Sequence, residues 1–257
     1  MTEAITMAEV LHGPWTRRPA VLSDLDGCLL SGNMLLPLVP ELVAACGARL
    51  WIVSNNSTDT AAGLSLRLAG LGLDLPPERI LLAGEETLRA LAAAHPGARV
   101  ALAAAPPMQA LAGDLGLTVS DHNAEVVVLA RDTGFRFADL TRLAALVAAG
   151  VPIWLTNPDT SHPGPDGVPV PETGALFAAL CAMVAPKSLT CIGKPAPDLI
   201  RKALARAAVL PSAAVYIGDN PITDGGAAAA AGVEFVQVMP PSLARPALTS
   251  GGAACWS

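Results

Sequence analysis

Short apolar runs recur along the chain without regular alternation of polar and apolar positions, and they end at glycine, proline, asparagine or aspartate. Residues 20–23, 50–54, 80–83, 100–104, 125–130, 151–156, 189–192, 215–218 and 233–238 have the length and composition of buried strands. Between them lie Ala- and Leu-rich stretches with helical spacing, at 60–70, 85–94, 139–149, 174–184 and 197–208. A strand that is apolar on both faces must be covered on both faces, and strands separated by helices are joined by crossovers. Both features predict parallel sheet and hence an α/β protein. Two stretches break the pattern. Residues 157–171 (NPDTSHPGPDGVPVP) are dense in turn formers and exceed an ordinary connection, which raises the expectation of a functional loop. Residues 240–257 are rich in Pro, Gly, Ser and Ala, and fraying is expected there.

Composition narrows the class. Of 257 residues, 52% are hydrophobic and 15% charged, ample for a core and contrary to disorder. The net charge of −6 and the lack of any basic block argue against a nucleic-acid partner. The mean hydropathy of +0.49 raises a membrane reading. No uninterrupted apolar run approaches the roughly 18 residues that a span needs. The opening MTEAITMAEV has neither a basic n-region nor an apolar h-region, so no secretory signal is expected. Cys28, Cys46, Cys181, Cys191 and Cys255 form no CxxC pair and no metal-ligand spacing, which fits a reducing, cytoplasmic setting.

Polar, reactive residues follow directly on four of the apolar runs. SDLDGCLL places Asp24 and Asp26 after the first, and IVSNNS places Ser54 and Asn55 after the second. CIGKPAP brings Lys194, and YIGDNPITD brings Asp219, Asn220 and Asp224. In an open parallel sheet, ligands bind beyond the carboxyl ends of the strands. Carboxylates gathered there repel one another unless a hard cation lies between them, and Mg²⁺ suits a few carboxylates plus water and phosphate oxygens. One such carboxylate can attack phosphorus, while a cation and a lysine neutralise the transferring group. A second can protonate the leaving oxygen and later deprotonate water. Spacing by two along an extended segment turns Asp24 and Asp26 to one side.

DLDGCLL, VSNNS, GKP and GDNPITD resemble, in order, the four motifs of the haloacid dehalogenase-like hydrolases. The long interval between the second and third, with LTNPD and TGALFAAL inside it, is similar to the NagD-like, para-nitrophenyl phosphatase and pyridoxal phosphatase group. The resemblance covers about residues 20–238. It implies a Rossmann-like parallel-sheet core at 1–95 and 188–257, with a large inserted α/β cap (C2-type) at 96–187. It implies Asp24 as nucleophile and magnesium ligand, and Asp26 as general acid/base that lends its carbonyl to the metal. Ser54, Asn55 and Lys194 would hold the phosphoryl group, and Asp219 would complete the metal site with Asp224 and Asn220 in support. Asn157 and His162, in the long loop, are candidate substrate contacts. The activity implied is Mg²⁺-dependent hydrolysis of a small phosphorylated metabolite, with no membrane partner and a homodimer left open. The alternatives are a phosphotransferase or phosphomutase with the same intermediate, and a non-enzymatic phosphate-sensing module.

Each residue has a plainer reading as well. Asp24 with Asp26, and Asp219 with Asp224, also suit turns, and Ser54 and Asn55 suit a helix cap. Lys194 and His162 also suit solvated positions. The chain departs from the family pattern at Cys28, where Val or Thr is usual, and at Gly225 and Gly226. It also has PETG (171–174) in place of PGxG.

Overall fold

The computed structural model describes residues 4–163 and 168–239; the fraying expected of 240–257, Cys255 and part of the 157–171 loop lie outside the described residues. The first segment runs α1 (Met7–His12), β1 (Ala20–Ser23), β2 (Leu30–Ser31), β3 (Met34–Leu35), α2 (Val39–Cys46), β4 (Leu50–Ser54), α3 (Ala61–Gly70), β5 (Ile80–Leu82) and α4 (Ala83–Ala94). An inserted segment follows: β6 (Arg99–Ala103), α5 (Pro106–Asp114), β7 (Thr118–Val119), β8 (Val126–Leu129), α6 (Phe137–Ala148), β9 (Ile153–Leu155), β10 (Ser161–Pro163), β11 (Pro169–Pro171), α7 (Thr173–Cys181) and β12 (Leu189–Cys191). The chain closes with α8 (Asp198–Ala207), β13 (Ala214–Gly218), α9 (Asp224–Ala231) and β14 (Glu234–Gln237).

Two five-stranded parallel sheets result, ordered β14-β13-β1-β4-β5 and β12-β9-β8-β6-β7. The absence of alternation in β1 is explained by its two covers. Val21 packs with Leu42, Leu64 and Leu68 of α2 and α3. Ala20 and Leu22 pack on the opposite face with Leu199, Ala203 and Ala227 of α8 and α9. β4 and β13 divide their residues between the same two layers. Each fully buried leucine in such a layer contributes about 1.5–3 kcal/mol. α8 shows how one helix meets the demand: Leu199, Ile200, Ala203 and Leu204 are buried, while Arg201 and Ala205 point to solvent. The second sheet is built alike, with Met108 of α5 on one face and Leu143 and Val147 of α6 on the other. α4 joins the two sheets, since its Leu88 and Leu91 pack under the second sheet and its Ala83 under the first.

Two expectations change. The return to the core at residue 188 meets β12, which pairs in parallel with β9 and so extends the second sheet. An apolar run carries no mark of which sheet it will join. Within the long loop, Ser161–Pro163 and Pro169–Pro171 pair as antiparallel strands. Their prolines lack the N–H that would have marked them as strand. The Gly225 and Gly226 departures have a packing cause. A methyl group at either would lie 3.2 Å from the Phe235 ring or 3.1 Å from Pro195 Cβ, so bare glycines let α9 approach both. Among the described residues, no helix is long and apolar enough to cross a membrane.

Candidate active site

The carboxyl ends of β1, β4 and β13 and the turn after β12 converge, and Lys194 lies where they meet. It is 1% exposed. Its Nζ donates to Asp24 Oδ1 at 2.7 Å, to Asp224 Oδ1 at 2.6 Å and to Tyr216 OH at 2.9 Å. An ammonium has three donors, and all are used. Burial on its own would lower the lysine, but Asp224 and Asp24 hold it well above its ordinary range, so it stays charged. Tyr216 in turn donates to the Val53 carbonyl at 2.8 Å, which ties the lysine to β4.

The acids differ in what remains open on them. Asp224 is fully buried and both its oxygens are engaged, one by Lys194 and the other by the Asn220 amide at 3.1 Å. A methyl at Gly218 would lie 2.3 Å from Asp224 Oδ2, so the glycine is what admits the carboxylate. Asn220 accepts from the Ile222 and Thr223 amides and so shapes this turn. Asp24 keeps its side chain 13% exposed, and the Lys194 contact occupies Oδ1. Burial drives its carboxyl well up; Lys194 opposes this, and Asp224 and Asp26 add to it. Asp219 is raised to about 6, by burial first and then by Asp224. It sits over Gly27 (φ +83°), where a methyl would lie 2.3 Å from its Oδ2. Carboxylate oxygens of Asp24, Asp219 and Asp224 come within 4.8 Å of one another. With a single lysine among them, negative charge is in excess.

Asp26 is exposed by area yet closely walled by protein, and this partial dehydration raises its carboxyl. Arg67 opposes the rise most, then Lys194 and His162, so all three lie near enough to act on it. Ser54 is buried; its hydroxyl accepts from the Asn56 amide at 3.1 Å, and its proton meets no acceptor among the described residues.

The amides expected to meet substrate are largely committed elsewhere. Asn55 donates to Asp159 at 2.9 Å and to the Lys194 carbonyl at 3.0 Å, and accepts from the Lys194 amide at 2.7 Å. It therefore fixes the lysine's backbone. Asn157 is 1% exposed and donates to the Asn55 carbonyl at 2.9 Å while accepting from the Asp159 amide at 3.2 Å. It stitches the long loop to the Ser54–Asn55 turn. His162, on β10, is more open, and its Nδ1 lies 2.7 Å from Glu172 Oε1.

Sequence reasoning missed the roles of Tyr216, Glu172, Arg131 and Gly193. Tyr216 reads as packing inside an apolar run, although it is the chain's only tyrosine. Gly193 matters because a methyl there would lie 2.3 Å from the Thr156 carbonyl and 2.8 Å from Asn55 Oδ1. No local pattern marks Glu172, or Arg131, whose Nε lies 3.1 Å from it. Cys28 is buried, and burial pushes its thiol well up, so it packs as an inert residue.

Comparison with known proteins identifies relatives over most of the chain. The family profile of the haloacid dehalogenase-like hydrolases matches residues 19–232. Dihydroxyacetone phosphatase of Corynebacterium glutamicum is 30% identical over 220 residues, which cover 84% of this chain and 79% of that protein. The structure of NagD from Escherichia coli superposes with a TM-score of 0.77 at 26% identity, over 87% of this chain and 88% of that one. The glycerol phosphate phosphatase of Mycobacterium tuberculosis in complex with magnesium gives a TM-score of 0.79 at 26% identity, over 87% of this chain and 69% of that one.

Proposed function

Since the chain belongs to the haloacid dehalogenase-like hydrolases, within their NagD-like group, we propose that it is a phosphatase that hydrolyses a small phosphorylated metabolite through an aspartyl-phosphate on Asp24. One observation carries the reading. A buried lysine donates to one oxygen of Asp24 at 2.7 Å at the carboxyl end of β1, and a second acid, Asp26, follows two residues on.

The donor set fits Mg²⁺. Its oxygens are hard, negative charge exceeds the single lysine, and Asp219 meets no cationic side chain within hydrogen-bond reach among the described residues. Asp24, Asp219 and the main-chain oxygen of Asp26 would hold the ion, while Asp224 is spent on Lys194 and Asn220. When bound, the ion supplies charge neutralisation for the phosphoryl oxygens.

The protein groups then divide the work. Asp24 attacks phosphorus through a carboxylate oxygen as the bond to the leaving oxygen breaks, and Asp26 passes its proton to that oxygen. Lys194 fixes the attacking group and faces the charge that develops, and the Ser54 hydroxyl is free to donate to a phosphoryl oxygen. In the second half, Asp26 takes a proton from water as the water oxygen attacks phosphorus and the bond to Asp24 breaks. The inserted unit serves as the cap over this edge, excluding bulk water and meeting the leaving group.

The test is phosphate release from a panel of small phosphate esters. Asp24→Asn should lose at least about a thousandfold in kcat with an unchanged circular dichroism spectrum, and chelation should stop the wild type until Mg²⁺ is returned. Full activity in Asp24→Asn, or indifference to chelation, would remove the mechanism.

A further inference from the structure

One carboxylate of the inserted unit reaches the strand-end turns of the core. Asp159 lies just beyond β9, and its main chain is held at both ends. Its amide donates to Asn157 Oδ1 at 3.2 Å, and its carbonyl accepts from the Gly174 amide at 2.7 Å. A methyl at Gly174 would lie 2.7 Å from that carbonyl oxygen, so the bare glycine is what lets α7 start so close. From this footing Asp159 Oδ2 accepts from Asn55 Nδ2 at 2.9 Å. Asn55 meets the Lys194 main chain twice: its Oδ1 accepts from the Lys194 amide at 2.7 Å, and its Nδ2 donates to the Lys194 carbonyl at 3.0 Å. Asn55 and Asp159 are both half-buried.

We infer that Asp159 is a positioning residue: it orients the Asn55 side-chain amide, which brackets the Lys194 main chain and so sets where the Lys194 ammonium stands against Asp24. This rests on the phosphatase reading and deepens it, because it makes the inserted unit part of the phosphoryl machinery as well as its cover. The reasoning is one of fixed ends. The Lys194 ammonium is held at its tip by Asp24, Asp224 and Tyr216. The stem between tip and main chain is aliphatic and makes no polar bond, so the tip keeps its aim only while the main chain keeps its place. Asn55 supplies that second hold, yet its own terminal torsion is soft. Its two bonds to Lys194 shift with that residue and do not anchor it to anything else. The remaining Nδ2 hydrogen goes to Asp159, which stands on a different part of the chain and fixes the amide from outside. A carboxylate suits this place because it only accepts, and its charge strengthens the bond.

The test measures kcat and KM on glycerol 3-phosphate and propyl phosphate, two esters with different leaving groups. Asp159→Ala should lower kcat by about ten- to a hundredfold on both, with KM little changed and the circular dichroism spectrum intact. Asp159→Ser, too short to reach Asn55, serves equally where the alanine variant does not fold. Asp159→Asn keeps an acceptor for Asn55 and should stay within about threefold of the wild type. In an Asn55→Ala background, Asp159→Ala should cost no more than about twofold, since the bond that it removes is already gone. In the wild type, the Asn55 side-chain amide hydrogens should exchange slowly with water, and Asp159→Ala should speed that exchange. Full activity in Asp159→Ala, a loss that persists undiminished without Asn55, unequal losses on the two esters, or an unprotected Asn55 amide in the wild type would each overturn the inference. Failure of the wild type on every ester would instead overturn the phosphatase reading, and the exchange measurement would still decide whether Asp159 holds Asn55.

Discussion

Lys194 shows how much of this site rests on one side chain. Its charge sits between two buried acids, and a buried ion pair is tolerated only while every member keeps its partner. Lys194→Met should therefore cost about 3–5 kcal/mol at pH 7, as well as abolish turnover. The sign with pH follows from Asp24, whose carboxyl is already raised by burial and would lose the attraction that opposes it. An acid whose folded value is raised works against folding once ionised. The deficit should therefore be largest at neutral pH and shrink as the pH falls toward the ordinary carboxylate range. Urea melts from pH 7 to pH 4 would measure it, and a deficit that stays constant over that range would contradict the account. The motif residues Asp24, Asp26, Ser54, Lys194 and Asp219 were legible because their types and order are local facts. Tyr216 and Glu172 were not, since their partners lie 22 and 10 positions away in the chain.

At the scale of elements, the helices that cover the core sheet are coupled by polar contacts as well as by apolar ones. Glu86 of α4, buried, accepts from Lys202 at 2.8 Å and from Arg206 at 2.5 Å, both on α8. Burial alone would raise its carboxyl, yet the two cations hold it below the ordinary glutamate range. A depressed folded value adds stability that is fully present above the unfolded value and is lost as the pH drops through the folded one. Glu86→Gln should thus lower stability by about 1–3 kcal/mol at pH 7, and the gap to wild type should close below about pH 4. Thermal melts at the two pH values would check this, with an undiminished gap in acid as the adverse result. The strands were readable element by element because burial on both faces leaves an unbroken apolar run. α9 was hidden because its sequence, DGGAAAAA, opens on two glycines that serve packing against Phe235 and Pro195.

At the scale of the whole molecule, the inserted unit is attached to the core just where the chemistry is. The Gly193 amide donates to the Thr156 carbonyl at 2.9 Å, and Asn157 bonds to the Asn55 carbonyl. These two hydrogen bonds grip the Lys194 turn and the Ser54–Asn55 turn together. Asn157→Ala should cost about 1–3 kcal/mol and reduce kcat/KM by a similar factor on glycerol 3-phosphate and propyl phosphate, because it loosens the floor of the site without touching the leaving group. A change in the ratio of the two would show that Asn157 reads substrate after all.

Sequence alone determined the α/β class, the strand-end acids and the lysine, because apolar run length and residue chemistry are properties of contiguous stretches. Tertiary structure alone decided that β12 joins the second sheet, that Asn157 is a buried stitch, and that His162 meets Glu172. Those outcomes depend on which distant groups meet once both sheets are covered, and on donors and acceptors that can be paired only in three dimensions.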